Sequence, residues 1–403
     1  MEALDKIFEE IAFDKLEIEQ SLLNIENKER SNIFTWNGQF SPQFVEVILD
    51  KYAKEGDIIL DPFLGSGTVI YESGLKGLTA YGVELNISAY FISRLYTFIN
   101  IQIEDRITML NSIEQIINNA FALEENDVDI IATKLKDVND KIINENEKII
   151  MTGFIVILDL YNKKVDTNII FTKWKQLRES LETLPFSEKY INVINNDSRN
   201  IPIDDNIVDL VITSPPYINV YNYHQQYRKS IELLGYNVLE IAKSEVGSNR
   251  KYRSNRFYTV VQYAKDICLI LNELIRITKK DARIIFVVGR ESNVRGVSFF
   301  NSRIVYRLAT EVLGLDFALK QERVFKNRYG QMIYEDILHI INNKESNNYD
   351  IDELIKNSAE IAVDELLKSK VNVSDEIILM EIQSAIDNAD NINISPIAPL
   401  WYN

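Results

Sequence analysis

Hydrophobic positions along this chain follow two periods. Short apolar runs bounded by Gly, Asp or Asn occur at residues 57–60, 79–84, 190–194, 207–213 and 283–288, and between most of them apolar residues return every three or four positions. Strand-like runs separated by amphipathic helix predict an α/β fold, a doubly wound and mostly parallel sheet. Late in the chain "DFALKQERVF" and "YEDILHIIN", separated by a turn around Asn327 to Gly330, predict an antiparallel hairpin at the sheet edge. In "SPQFVEVILDKYAKEG" Ser41 stands as N-cap, Pro42 as first helical residue and Gly56 as the stop.

The same pattern divides the chain. Residues 1–30 read as an acidic amphipathic helix, and residues 31–100 and 190–342 carry the strand-and-helix alternation. Between them, 101–189 is polar, rich in Asn, Glu and Lys, and helical in period, which reads as an insertion; 343–403 reads as an acidic helical tail. No repeat period is visible.

Composition narrows the class. With 46% hydrophobic and 26% charged residues the chain is globular. No run approaches the roughly 18 to 20 apolar residues of a membrane span, and the acidic start is unlike a secretory signal, so the expectation is a soluble, cytoplasmic protein with no membrane partner. Cys268 is the single cysteine and His224 and His339 the two histidines, which leaves no disulfide framework or thiolate zinc site and predicts chemistry without a metal. A net charge of −16 argues against a general nucleic-acid footprint. One local basic run, "AKSEVGSNRKYRSNRFY", sets Lys243, Arg250, Lys251, Arg253 and Arg256 against a single acid, Glu245; it is either a solvated loop or a phosphate-contacting one.

Two phrases carry chemistry. "ILDPFLGSGT" is a strand ending at Asp61 that turns through Gly65-Ser66-Gly67 into a helix, so bare backbone can approach a ligand. Its spacing is neither G-x-G-x-x-G nor a P-loop, and an acid at the strand end suits a cationic group better than a pyrophosphate. The following strands end at Glu84 and Asp197. Three carboxylates at the ligand-binding edge of the sheet favour a ligand with an ammonium, a ribose and an adenine ring. "DLVITSPPY" ends a strand in Thr213-Ser214, two prolines and Tyr217. Proline withdraws N–H groups, so the Pro215 carbonyl and the Ser214 hydroxyl can accept from an exocyclic amine while Tyr217 stacks on a flat base.

"DPFLGSGT" and "TSPPY" resemble motifs I and IV of the S-adenosylmethionine-dependent DNA amino-methyltransferases, and Ser-Pro-Pro-Tyr resembles mainly the cytosine-N4 branch. "GQFSPQFVEVIL" is similar to motif X, "YGVELN" to motif II, "NNDSRNIP" to motif III and "EDILHI" to motif VIII. The resemblance spans about 31–100 and 190–342. It implies S-adenosylmethionine as methyl donor, with Asp61 at its amino group, Gly65 and Gly67 at its methionine portion, Glu84 at the ribose, Asp197 near the adenine, and Phe40 and Phe44 closing the methionine side; Pro62, Phe63, Ser66, Thr68 and Thr213 complete the cofactor-binding set. It also implies a target base flipped from double-stranded DNA onto a catalytic set of Ser214, Pro215, Pro216 and Tyr217. Recognition falls either to the insertion or to the loop 218–258, whose Arg250, Lys251, Arg253 and Arg256 suit phosphate contact; the loop's charge favours the second.

The resulting expectation is a site-specific DNA methyltransferase making N4-methylcytosine, bacterial or phage-encoded and nucleoid-associated, with a cognate restriction endonuclease or defence-system subunit as partner. Adenine N6 is the alternative base and RNA a more distant substrate. From another class, the alternative is a non-catalytic DNA-binding or assembly subunit that keeps the fold.

Overall fold

The computed structural model describes residues 8–218, 223–247, 252, 254–327 and 330–398. Its strands are β1 (Ile58–Asp61), β2 (Thr79–Val83), β3 (Ile191–Ile194), β4 (Val208–Thr213), β5 (Thr278–Gly289), β6 (Glu291–Val294), β7 (Val297–Phe300), β8 (Asp316–Lys326) and β9 (Met332–Ile341). Seven form one sheet in the order β3-β2-β1-β4-β5-β9-β8, with β1 to β5 parallel and β9 and β8 antiparallel. The fold is therefore α/β, a doubly wound sheet with an antiparallel edge hairpin. The strand order reverses between β1 and β4, so their carboxyl ends flank a crevice at the switch point, where this architecture binds ligands.

The helices Pro42–Tyr52 and Thr68–Leu75 follow from Pro at the first helical position and from the glycine turn after β1. Ser41 occupies the N-cap position, but its hydroxyl makes no capping bond. The helix Tyr258–Ile277 is buried along nearly its whole length and runs directly into β5. β5 begins at Thr278, five residues before the apolar run at 283; "TKKDA" has no apolar signal and is extended because Thr278 pairs with Val208 of β4. The β6–β7 hairpin was not anticipated either; its turn is Arg295-Gly296, both at positive φ.

The expectation of a helix over residues 1–30 is corrected. Residues 1–7 lie outside the described residues, and beyond a helical turn at 8–10 the one helix in the rest is Gln20–Asn24. The segment instead covers the outer edge of β8. Phe13 bridges Lys320, Lys320 Nζ donates to the Phe8 carbonyl (2.8 Å), Gln20 donates to the Glu322 carbonyl (2.7 Å) and Arg323 Nε donates to the Leu23 carbonyl (3.1 Å). Edge-strand groups that need partners outweigh helix propensity there.

Residues 101–189 form four helices, Ile103–Ala120, Val128–Lys141, Glu145–Leu158 and Thr167–Glu182. They share the apolar core of the sheet: a Cβ on Gly153 would stand 2.9 Å from Leu95 Cδ1. The C-terminal helices Ile351–Lys370 and Glu376–Asp387 are likewise no loose tail. Leu354, Ala362 and Leu366 are buried against the helix Tyr258–Ile277, and Lys265 Nζ donates to the carbonyls of Ala389 (2.9 Å) and Ile392 (2.7 Å). Among the described residues, no helix is long and apolar enough to cross a membrane.

Candidate active site

β1 delivers Asp61 to the carboxyl edge of the sheet, and the chain then turns back under it. Asp61 is buried and accepts hydrogen bonds from Thr213 Oγ1 (2.7 Å), at the end of β4, and from the Phe63 N–H (3.0 Å). Removal from solvent outweighs these two bonds and pushes its carboxyl up to about 7. Gly65 and Gly67 have φ of +56° and +100°. A Cβ on Gly67 would meet Tyr96 Cδ2 at 2.9 Å and Ser93 Cβ at 3.1 Å, so both backbone shape and space call for glycine.

Glu84 follows β2. Its Oε2 accepts from the Gly65 N–H (2.6 Å) and its Oε1 from the Asn86 N–H (2.7 Å), which ties the second strand end to the glycine turn. The side chain keeps some surface on the crevice, yet the surrounding protein pushes its carboxyl up to about 8. Neither carboxylate has a cationic side chain hydrogen-bonded to it among the described residues. Asp197, after β3, is different. Arg199 donates to it through Nε (2.9 Å) and Nη2 (2.6 Å), and reaches Asp266 (2.9 Å) and the carbonyls of Ser395 (2.6 Å) and Pro396 (2.9 Å). The C-terminal segment thus braces the far end of the crevice.

On the other wall β4 ends at Thr213, and the chain continues through Ser214, Pro215, Pro216 and Tyr217. Ser214 and Pro216 face the crevice, whereas Pro215 is buried behind them. The Tyr217 ring lies against the end of β5, where a Cβ on Gly289 would stand 2.8 Å from Tyr217 Cε2, and its hydroxyl is 3.4 Å from Ser214 Oγ. Burial holds the phenol well above its ordinary value.

The two walls and the loop before the helix Pro42–Tyr52 enclose about 910 Å³, counting solvent at the mouth. Of the cofactor set expected from sequence, Phe40, Asp61, Pro62, Phe63, Gly65, Thr68, Glu84 and Asp197 line this crevice. Thr213 acts through its bond to Asp61. Phe44 is fully buried beneath Phe40, their ring centroids 5.5 Å apart, and supports that wall without facing the crevice. Ser66 donates to Gln39 Oε1 (2.6 Å) and locks the glycine turn to the loop above it. Arg250, Lys251 and Arg253 lie outside the described residues; Arg256 is half-buried in the turn before the helix Tyr258–Ile277.

Sequence reasoning missed Trp36, Gln39, Asn86, Tyr223, Ser244 and Glu245, all of which line the crevice. "TWNGQF" carried a signal, an aromatic and a glycine ahead of a Pro-started helix. Tyr223 and Glu245 carried none beyond an aromatic among amides and one acid in a basic run. Cys268 and His339 lie elsewhere: burial raises the thiol to about 12, and burial beside Arg283 lowers the imidazole to about 3.

A family model of the N6/N4 type, described as "DNA methylase", matches residues 4–94, the portion holding the Phe40 loop, the glycine turn and Glu84. The chain is 21% identical to type II methyltransferase M.MjaII of Methanocaldococcus jannaschii, over 73% of this chain and 78% of that protein. It is 25% identical to type II methyltransferase M.BsoBI of Geobacillus stearothermophilus, over 54% of this chain and 55% of that protein. Solved structures with more distant likeness include a SAM-dependent methyltransferase of Methanosarcina mazei (12% identity, TM-score 0.34, covering 73% of this chain and 96% of that one). The rRNA methyltransferase aviRa of Streptomyces viridochromogenes is another (11%, TM-score 0.32, covering 81% and 94%).

Proposed function

We propose that this protein is a DNA methyltransferase that uses S-adenosylmethionine to methylate the exocyclic amine of a flipped base, cytosine N4 in the first instance, within a restriction-modification or phage-defence setting. The observation that carries the reading is the facing of two walls across one crevice: Asp61 and Glu84, with no cationic side chain hydrogen-bonded to them among the described residues, on one side, Ser214 and Pro216 on the other. The match to the DNA methylase family model and the likeness to two type II methyltransferases support the same class.

The residues present fit the cofactor. Two carboxylates removed from solvent and held in part as neutral acids suit a ligand that brings a cation to one and hydroxyl groups to the other, and S-adenosylmethionine carries an ammonium and a ribose. When bound it supplies an electrophilic methyl group. Asp61 then holds the ammonium, Glu84 the ribose and Asp197 the adenine end, while the glycine turn admits the methionine backbone and Phe40, resting on Phe44, shuts out water. Ser214 Oγ, on the crevice wall, and the Pro215 carbonyl behind it would orient the target amine, and Tyr217, whose ring packs against Gly289 and does not line the crevice, would support the base plane from behind. The enzyme's contribution is position and electrostatics.

Expression in a methylation-free host, followed by single-molecule sequencing of its DNA alongside Tyr217→Ala, tests this. Modified cytosines in one short motif, absent with the variant, are expected. Modified adenines move the target to N6. An unmodified genome, together with no transfer to RNA or in the presence of a partner, overturns the enzyme reading in favour of a non-catalytic binding subunit.

A further inference from the structure

The single acid in the basic run is not a surface residue. Glu245 is 8% exposed and lines the crevice beside Ser244 and Val246. Its Oε2 lies 3.0 Å from Nδ1 of His224, which is itself 2% exposed. Its Oε1 is buried and has no hydrogen-bond partner among the described residues. The turn carrying it is fixed to the catalytic phrase: at Gly247, with φ of +67°, a Cβ would stand 3.1 Å from the Tyr217 carbonyl oxygen. A carboxylate out of solvent with one oxygen unsatisfied is costly. A plain core His–Glu pair would satisfy both oxygens, or turn the free one to solvent.

We propose that Glu245 is the proton acceptor for the target amine, held in position by His224; this rests on the amino-methyltransferase reading. On that reading Asp61 takes the ammonium, Glu84 the ribose and Asp197 the adenine end, which leaves Glu245 with no group of the cofactor to hold. Glu245 stands in the crevice close enough to Glu84 to help raise its carboxyl, on a turn packed against the backbone of Tyr217. An exocyclic amine conjugated with a base ring is a poor nucleophile and must shed a proton once methylated. A serine hydroxyl and a proline carbonyl accept hydrogen bonds but are far too weakly basic to take up the proton, whereas a carboxylate can accept it. In the step, the amine nitrogen forms a bond to the methyl carbon, the carbon–sulfur bond breaks with its electron pair passing to sulfur, and one N–H proton passes to Glu245 Oε1. The products are the methylated amine, the neutral thioether and a neutral Glu245. Because the carboxylate oxygen faces the amine, it also disfavours a base with a carbonyl in that place. His224 Nδ1–H donates to Oε2 and is a positioning residue.

The test compares wild type with Glu245→Gln on the recognition sequence defined by the sequencing above. S-adenosylmethionine affinity, followed through the fluorescence of Trp36 in the crevice wall, is expected to stay within about twofold, which also certifies the fold. The single-turnover methyl-transfer rate is expected to fall about 100-fold or more. In the presence of the thioether product, wild type is expected to prefer DNA bearing the amino base over its deaminated counterpart, uracil for cytosine or hypoxanthine for adenine. Glu245→Gln, whose amide also donates, is expected to lose that preference. If Glu245→Gln does not fold, Glu245→Asp serves in its place and retains the preference at a reduced rate. The double variant His224→Gln with Glu245→Gln is expected to be no slower than Glu245→Gln alone, as two residues acting as one unit require. A Glu245→Gln rate near wild type with the preference intact overturns the inference while the methyltransferase reading stands. Absence of methyl transfer by wild type itself overturns that reading, and the inference falls with it.

Discussion

The Thr213 hydroxyl, at the end of β4, donates to the Asp61 carboxylate at the end of β1, 2.7 Å away and out of solvent. That bond joins the strand bearing the glycine turn to the strand bearing Ser-Pro-Pro-Tyr, across the point where the sheet order reverses. One side chain thereby sets the relation between the cofactor wall and the base wall.

Asp61 makes cofactor affinity pH-dependent. Its carboxyl sits at about 7 in the folded protein against 3.8 as a free side chain. The protonated form cannot hold an ammonium, so S-adenosylmethionine is expected to bind more tightly as pH rises from 6 to 8, and titration calorimetry across that range checks it. Asp61→Asn is expected to weaken binding at least tenfold and to leave only the part of the dependence that Glu84, held at about 8, contributes.

The same group acts in the opposite sense on stability. Between about pH 4 and 7 the native protein keeps a proton that the unfolded chain has lost, so this contribution is full below pH 4 and gone above 7. Asp61→Asn therefore stabilises the cofactor-free protein at pH 8, by roughly 2–4 kcal/mol given about 1.4 kcal/mol per pKa unit, less what the amide loses as an acceptor for Thr213 and Phe63. Urea melts at pH 5 and pH 8 compare the two, and a variant less stable than wild type at pH 8 refutes the account.

The glycines of the turn separate packing from ligand approach. Gly67→Ala puts a Cβ within 3.1 Å of both Tyr96 and Ser93 at a φ of +100°, and is expected to destabilise by about 1–3 kcal/mol. Gly65→Ala meets only Trp36 at 3.5 Å, so it is expected to lower the melting temperature less while weakening cofactor binding at least as much. Thermal melts with and without S-adenosylmethionine distinguish them.

Arg199 joins Asp197 and Asp266 to the carbonyls of Ser395 and Pro396. Arg199→Met leaves two buried acids without their cation, and about 3–5 kcal/mol of destabilisation is expected. Faster proteolysis near residue 395 is expected with it, read by limited digestion and mass spectrometry.

What the sequence disclosed depended on how local each determinant is. The strand ends at Asp61, Glu84 and Thr213 are written in adjacent residues, a β-rich run followed by Gly or Pro, and the sheet follows from their spacing. The edge-covering path of Phe13 to Leu23 is set by bonds to Lys320, Glu322 and Arg323, some 300 positions away, and a local amphipathic period cannot report it. Glu245 illustrates the same limit within the crevice. Its neighbours in sequence are basic and polar, while its place depends on His224 and on the packing of Gly247 beneath Tyr217.

Gly289 gives the sharpest separation between the two walls. It lies at the end of β5, away from the cofactor crevice, and its bare Cα leaves room for the Tyr217 ring. A methyl group there would fall 2.8 Å from Cε2 and 3.0 Å from Cδ2, so the ring must move. The backbone itself tolerates alanine, because Gly289 does not adopt positive φ. Gly289→Ala is accordingly expected to fold and to bind S-adenosylmethionine with near wild-type affinity, since Asp61, Glu84 and the glycine turn are untouched. Its methyl-transfer rate is expected to fall at least tenfold through the displaced base support. Equal losses in cofactor affinity and in rate would mean that displacing Tyr217 disturbs both walls, the disturbance passing through the Thr213–Asp61 bond that joins them.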